Sequence, residues 1–260
     1  LYIADPANPA QPPNAFPYPR PGKDNAEVTL GIVAADGGDT TWIEWDRAAY
    51  PYLAAVTWSE HGPLTILVQN RKQTEERLLA VDGATGKTTT LLVERDPTWI
   101  NLDPDMPHWL PDGRFLWTTE RRGSWQLELR DADGKLAREV TSTAFGLRSV
   151  VSVDDERGEV YVTASRNPLT SQVYRISLTD ESQAPEAITD REGNHAAVFG
   201  EGHDLWVDQY ANAGPDVTWE VRRRDGAPVG ELPSVAETPA LALNLEYVAT
   251  ETEPVFYAML

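Results

Sequence analysis

Cysteine is absent from the 260 residues, which excludes disulfides, thiolate metal sites and a cysteine nucleophile and leaves the compartment open, because such a chain fits any redox environment. Long apolar runs are absent too. None approaches the roughly 18 residues that a membrane-spanning helix needs, so no membrane partner is expected. Positive charge is scarce: 22 Lys and Arg stand against 41 Asp and Glu, a net charge of −19, which repels phosphate backbones, and nucleic acid is not expected as a partner. The basic clusters Arg121-Arg122 and Arg222-Arg223-Arg224 lie among carboxylates in or beside alternating runs and read as solvated strand or loop surface. Gly-x-Ser-x-Gly occurs nowhere, so the strained turn that lifts a nucleophilic Ser beside an oxyanion hole is not written in this chain. No catalytic residue, cofactor or metal site is expected within it. The N-terminus LYIADPANPAQPPNAFPYPRPG has neither an initiator Met nor a basic stretch leading into an apolar one, and the chain is expected to be a portion of a longer one.

What is present is a repeat. Nine Trp against five Phe supply large flat side chains suited to strand surfaces that pack face to face. The hydrophobic period is near two, and Asp-Gly, Thr-Gly, Arg-Gly and Glu-Gly punctuate short runs rich in Val, Leu, Tyr and Trp. Four passages share one grammar of four runs each, beginning near residues 53, 107, 150 and 196, about 43 to 54 apart, which is the period of four-stranded propeller blades. Their second runs, PLTILVQN, RFLWTTE, EVYVTA and DLWVDQY, each follow a tight turn and are apolar enough for burial on both faces. The expected fold is all-β, a β-propeller segment of about four complete four-stranded blades (53–95, 107–141, 150–189 and 196–233) with part of a further blade at 27–46. A Pro-rich entry segment (1–26) precedes them and an exit segment (234–260) follows. Regular short strands also suit a β-sandwich, which stays the structural alternative.

Several segments carry a family likeness. YPRPGKDNAEV (Tyr18 to Val28), PYLAAVTW (Pro51 to Trp58), VQNRKQ (Val68 to Gln73), WINLDPDMPHWLPDGRFLWTTERRGSWQLEL (Trp99 to Leu129) and ITDREGNHAAVF (Ile188 to Phe199) resemble, in this order, the propeller region of dipeptidyl peptidase IV-type enzymes, over roughly Tyr18 to Leu232. The resemblance implies a serine exopeptidase similar to prolyl oligopeptidase, in which a propeller of roughly eight blades caps an α/β-hydrolase domain carrying Ser, Asp and His. It further implies release of N-terminal dipeptides, usually with Pro or Ala second. The family's paired glutamates, which hold the substrate's amino group, lie upstream of the Tyr-Pro-x-x-Gly segment, outside this sequence. Glu75-Glu76 is no substitute, because adjacent strand residues point to opposite faces. Where the family often has His after Gly-x-Trp, this chain has Gln126.

Other candidates are weaker. His108 and His195 occupy blade-entry positions, where a His hydrogen-bonding backbone between blades is the expected role; His61 and His203 precede turns and read as surface. Asp103 and Asp105, with Asp82, Asp131 and Asp133, can be written as calcium ligands or a glycosidase-like carboxylate pair, but most belong to Asp-Gly turns whose carboxylates cap their own backbone. The Trp99–Asp105 loop links two blades and corresponds to a family loop that can line the substrate chamber, so Trp99, Asn101, Asp103 and Asp105 are the candidate lining residues. The family's aromatic-Arg contact is replaced there by Leu102-Asp103. The expected function is the propeller part of a dipeptidyl-peptidase-like serine hydrolase, gating and helping to select peptide substrates. Its expected partners are peptide substrates, the parent's α/β-hydrolase domain and, for the segment alone, a second copy. The alternatives are a free-standing propeller that binds protein or peptide, and a propeller glycosidase. Because the nucleophile motif is lacking, the purified chain should not hydrolyse Gly-Pro or Ala-Pro chromogenic dipeptides; inhibitor-sensitive turnover would reveal an overlooked catalytic Ser.

Overall fold

Short alternating runs ended by Gly or Asp turns give strands and no helix among the described residues, which in this computed structural model are 2–15, 21–212 and 217–235. Two small pairs come first, β1 (Tyr2–Ile3) with β2 (Asn14–Ala15) and β3 (Gly31–Ile32) with β4 (Thr41–Trp42). Four four-stranded antiparallel sheets follow. The first holds β5 (Tyr52–Thr57), β6 (Thr65–Gln69), β7 (Glu75–Val81) and β8 (Thr88–Arg95). The second holds β9 (His108–Trp109), β10 (Phe115–Thr119), β11 (Gln126–Arg130) and β12 (Leu136–Glu139). The third holds β13 (Leu147–Asp154), β14 (Glu159–Ala164), β15 (Gln172–Ser177) and β16 (Glu186–Ala187), and the fourth β17 (Asn194–Phe199), β18 (Leu205–Ala211), β19 (Val217–Arg223) and β20 (Pro228–Glu231). Strand order follows chain order in every sheet. The chain is therefore a propeller segment of four complete blades and part of a fifth. Residues 16–20 of the Tyr-Pro-x-x-Gly region and residues 236–260 of the expected exit segment lie outside the described residues.

Strand alternation explains the stacking. In β6, Ile66 and Val68 pack with Ile43 and Tyr50 on the β3–β4 side, while Leu67 between them joins Leu78 and Leu92 against the second blade. The third blade repeats this: Val160, Val162 and Ala164 face the second blade, and Tyr161 faces Trp206 of the fourth. The strands β6, β10 and β11 are buried along their whole length. The run in β18 departs from the expectation of two buried faces: Trp206, Asp208 and Tyr210 are buried, but Leu205 is 47% exposed, because no described sheet follows the fourth blade.

Three other expectations need correction. Arg222 is buried, not solvated: its Nη1 donates to Gly226 O at 2.9 Å, and its Nε lies 3.0 Å from Asp208 Oδ2, close enough for an ion pair though not aligned as a hydrogen bond. Its Nη2 pairs with Glu220 at 2.8 Å. Arg121 likewise spends its guanidinium on the buried Glu94. His203 is not a surface residue either; its ring stacks on Tyr161 at 5.5 Å and its Nε2 is 2.8 Å from Ser152 Oγ. His195 does meet backbone, with Nε2 3.0 Å from Arg191 O, and its Nδ1 is 2.8 Å from Asp208. His108 instead bridges blades through a side chain, Asp155 Oδ1, at 3.0 Å.

Leu116 on β10 has no exposed surface and sits in the cluster shared by the first three blades. Leu116→Asp should abolish cooperative unfolding, since an unpaired carboxylate there costs several kcal/mol. A thermal melt close to the parent's would put β10 on the surface and overturn the stacking.

Candidate functional site

The segment between β8 and β9 is built by local capping and then pinned to both blades it joins. Asp96 Oδ1 accepts from the backbone of Thr98 and Trp99 at 2.7 and 2.9 Å, which turns the chain at the end of β8. Ile100 is buried and donates its amide to Gln73 O, in the turn between β6 and β7, at 3.0 Å. Asn101 Nδ2 donates to Glu120 Oε2 at 2.6 Å, and Asp103 Oδ2 accepts from Thr118 Oγ1 at 2.9 Å, both on the second blade. Asp103 Oδ1 accepts the Asp105 amide at 3.1 Å. Trp99 stays 52% exposed despite these anchors.

The four candidate residues divide between two clefts. Trp99, Asn101 and Arg121 rim a small one of about 30 Å³ whose deeper walls are Glu76, Glu94 and Thr119. That is room for about one water molecule, not for a ligand. Asp103 and Asp105, with Leu102 and Pro104, form one side of a second cleft of about 210 Å³; Arg148, Ser149 and Val150 of β13 form the other. This volume is below the roughly 300 Å³ typical of small-molecule pockets and suits one residue or one side chain of a longer ligand. Thr118 and Trp125 border both clefts. Trp125 and Arg148 were not among the expected residues. Trp125 had a signal, the Gly123-Ser124-Trp125 turn; Arg148 had none, because it comes from the inner strand of the next blade.

Beneath the small cleft lies a charged seam. Glu94 accepts from Trp117 Nε1 at 3.0 Å and Thr119 Oγ1 at 3.2 Å across the blade interface, and Arg121 caps it from the rim. Arg121 also lies 3.5 Å from Glu128, which pairs in turn with the buried Arg130. Glu76 is the cross-strand neighbour of Glu94 and has only the amide of Gln69, at 3.1 Å, to offset its burial. Burial, and then the charge of Glu94, push its carboxyl up to about 7, with the Gln69 bond opposing. Its sequence neighbour Glu75 points the other way, into Tyr50 and the guanidinium groups of Arg77 and Arg95, and its carboxyl is held below the usual range chiefly by the Tyr50 hydroxyl. Opposite faces thus separate the two carboxylates. Asp82 caps Ala84 and Thr85 in its turn, and Asp133 pairs with Lys135, as turn residues do.

With this geometry in hand, comparison with known proteins decides the family. The model of the dipeptidyl peptidase IV (DPP IV) N-terminal region matches residues 2–217. The chain belongs to this family. It is 23% identical over 216 residues to a probable dipeptidyl peptidase 4 of Aspergillus flavus, and 23% identical over 215 residues to that of Neosartorya fischeri; each match takes 78% of this chain and 28% of the relative. The chain therefore spans little more than a quarter of the length of these curated relatives. Among solved structures, the crystal structure of Porphyromonas gingivalis dipeptidyl peptidase 4 matches with a TM-score of 0.73 at 18% identity, over 85% of this chain and 32% of that one. A putative dipeptidyl aminopeptidase IV from Bacteroides ovatus matches with a TM-score of 0.69 at 17% identity, over 90% and 36%. These structural likenesses carry the fold.

The raised carboxyl of Glu76 has a consequence for stability. Its folded value lies above the ordinary 4.5, so the native state holds the proton more tightly than the unfolded chain, and stability falls as pH rises from about 4.5 through about 7. Glu76→Gln should remove this loss: its melting temperature should exceed the parent's at pH 8, by the equivalent of up to about 3 kcal/mol, and match it near pH 4.5. Equal melts at both pH values would place Glu76 in solvent.

Proposed function

We propose that this chain is the substrate-gating propeller part of a serine-type dipeptidyl peptidase, with residues 27–233 as the propeller unit, 1–26 leading into it and 234–260 leading towards an α/β-hydrolase domain carried by the parent polypeptide. The reading rests on membership of the dipeptidyl peptidase IV N-terminal family together with one structural observation: the Leu102–Asp105 cleft opens beside β13, the innermost strand of its blade. A peptide in a central chamber would meet such a strand first. Asp103 and Asp105 face Arg148 across the cleft, and Trp125 adds an aromatic wall; two carboxylates against one guanidinium leave the cleft net negative, which favours a peptide's ammonium or basic end over an acidic one. Asp103 is already engaged by Thr118 and the Asp105 amide, so it serves as a fixed charge and not as half of an acid–base pair.

Self-association of the segment belongs to the same proposal. Val33 and Trp42 at one end, and Val198, Leu205, Val217 and Val229 at the other, expose apolar surface that a second copy would cover. Light scattering on dilute protein should show dimers or larger species; a monomer at low micromolar concentration that binds no hydrophobic dye would remove this part.

The gating role is tested in the hydrolase-bearing parent with Asp105→Ala and Trp125→Ala. Both should leave kcat/KM for a small chromogenic dipeptide within about twofold and lower it about tenfold for longer peptides, the loss expected when one subsite contact worth 1–3 kcal/mol disappears. Equal losses on both substrates, or no loss on either, would take the cleft out of substrate selection.

A further inference from the structure

Every charged group around Glu76 is committed elsewhere. On its own strand, β7, Glu75 and Arg77 turn to the opposite face and pair there with each other. On β8, Glu94 is paired with Arg121, Arg95 is drawn to Glu75, and Asp96 caps the Thr98 and Trp99 amides. From the second blade, Glu120 accepts from Asn101, and Glu128 pairs with Arg130. β6 contributes the neutral Gln69. The carboxylates of Glu94, Asp96, Glu120 and Glu128 thus stand about the cleft against the guanidinium groups of Arg95, Arg121 and Arg130, none of them free for Glu76. Once ionised, this 4% exposed carboxylate has no cation to answer it.

The weakest part of its enclosure is the segment 97–101, which lies outside the strands and lines the same cleft. Two hydrogen bonds hold it. The Ile100 amide donates to Gln73 O at 3.0 Å, and Asn101 Nδ2 donates to Glu120 Oε2 at 2.6 Å in an exposed position. The turn that offers the Gln73 carbonyl is itself fixed: Asn70 Oδ1 accepts from the Thr74 amide at 2.9 Å, and Gln73, at φ +55°, donates through Nε2 to Gln69 Oε1 at 3.2 Å. Gln69 also supplies the amide that meets Glu76. A segment held by two bonds and no ladder opens at lower free energy than the strands beneath it.

We propose that residues 97–101 form a lid over Glu76 which ionisation of that carboxyl drives open. While Glu76 is protonated, the closed lid strands no charge. Ionised, it is a buried carboxylate beside Glu94 with one amide donor, and any conformer that admits water to it gains in population. Lifting 97–101 is the smallest such change: it exposes Ile100 and breaks the bonds to Gln73 and Glu120, but leaves the apolar faces of β7 and β8 packed. The sign follows from burial. With the lid closed the carboxyl is raised to about 7, so the closed form is fully favoured below the ordinary 4.5 and loses its advantage as pH rises through about 7. The lid stands on the chain's own geometry and not on the peptide-gating reading, although the same loop runs on into the Leu102–Asp105 cleft.

Hydrogen–deuterium exchange of the purified chain measures the lid without any substrate, read on a fragment covering residues 97–102 with labelling times scaled to the intrinsic rate at each pH. A carboxyl that returns from about 7 to its ordinary value on opening raises the open fraction at pH 8 by up to about a hundredfold, and by about twofold near pH 4.5. The parent's protection in this fragment should therefore fall at least about tenfold below that of Glu76→Gln at pH 8 and agree with it within about twofold near pH 4.5. The β10 strand (Phe115–Thr119) should stay protected throughout. A second readout needs no variant: the parent's own corrected protection should drop between about pH 4.5 and pH 7 and level off above. Equal protection of parent and Glu76→Gln at pH 8 overturns the proposal. So does the same ratio at both pH values, which would assign the difference to repacking around the glutamine, and so does joint loss of protection in 97–102 and β10, which would mean that the whole seam opens and no lid exists.

Discussion

Every part of this structure depends on the face-to-face packing of one sheet on the next. A strand whose residues alternate between two apolar faces cannot leave either face in water, so no blade is stable alone. The consequence is visible in the cluster that runs from Leu67 on the first blade through Phe115 and Leu127 on the second to Val160 and Ile176 on the third, one core shared by three sheets. The glycine turns serve the same packing. Gly134 brings the second blade's turn against the Leu91 carbonyl at a distance no side chain would allow, and at a backbone angle that glycine adopts at no steric cost. The third blade has no glycine in the equivalent turn; there Arg138 Nη2 of the second blade reaches Ser177 O at 2.7 Å.

Apolar stacking by itself would let blades slide, because flat aliphatic faces fit in many registers. The charged groups buried at the seams oppose this. Glu94 is satisfied only when Trp117, Thr119 and Arg121 of the next blade stand in the right places. Between the third and fourth blades Arg224 on the largely buried Glu159 has the same effect, while the exposed Arg157–Asp204 pair adds little. Such pairs contribute little net stability after desolvation, and their effect here is to select one register among many. Glu76 is the exception, a buried carboxylate without a cation of its own, and so the place where the seam responds to pH.

The architecture was legible because it repeats. Four runs of period two, four times over, leave few folds to choose among, and PLTILVQN and RFLWTTE read correctly as strands buried on both faces. Reading failed where burial depends on a neighbour far away in sequence. Arg222 looks like part of a basic surface cluster, yet strand alternation turns it inward onto Asp208 while Arg223 faces out. His203 looks like a turn residue, yet its turn folds over Tyr161 of the preceding blade. Of the candidate site, the loop itself was identifiable from Trp99 to Asp105. Its division into two clefts was not, because Arg148 and Val150, which make the second, arrive from a strand more than forty residues on.

That division bears on what such a segment can do chemically. Catalysis by a nucleophile needs a side chain on a strained turn with donors aimed at the developing charge. Many of the tight turns among the described residues are instead occupied by glycine or by carboxylates that cap their own backbone, as Asp82 and Asp96 do. A capped carboxylate is fixed in place and held in its charged form, good for steering and poor for proton transfer. The seam of the first two blades thus holds an immobile charge, Asp103, and an aromatic wall, Trp125, where the joining loop is anchored to both sheets. A ligand reaching such a position meets a preorganised surface whose shape is set by the stacking beneath it.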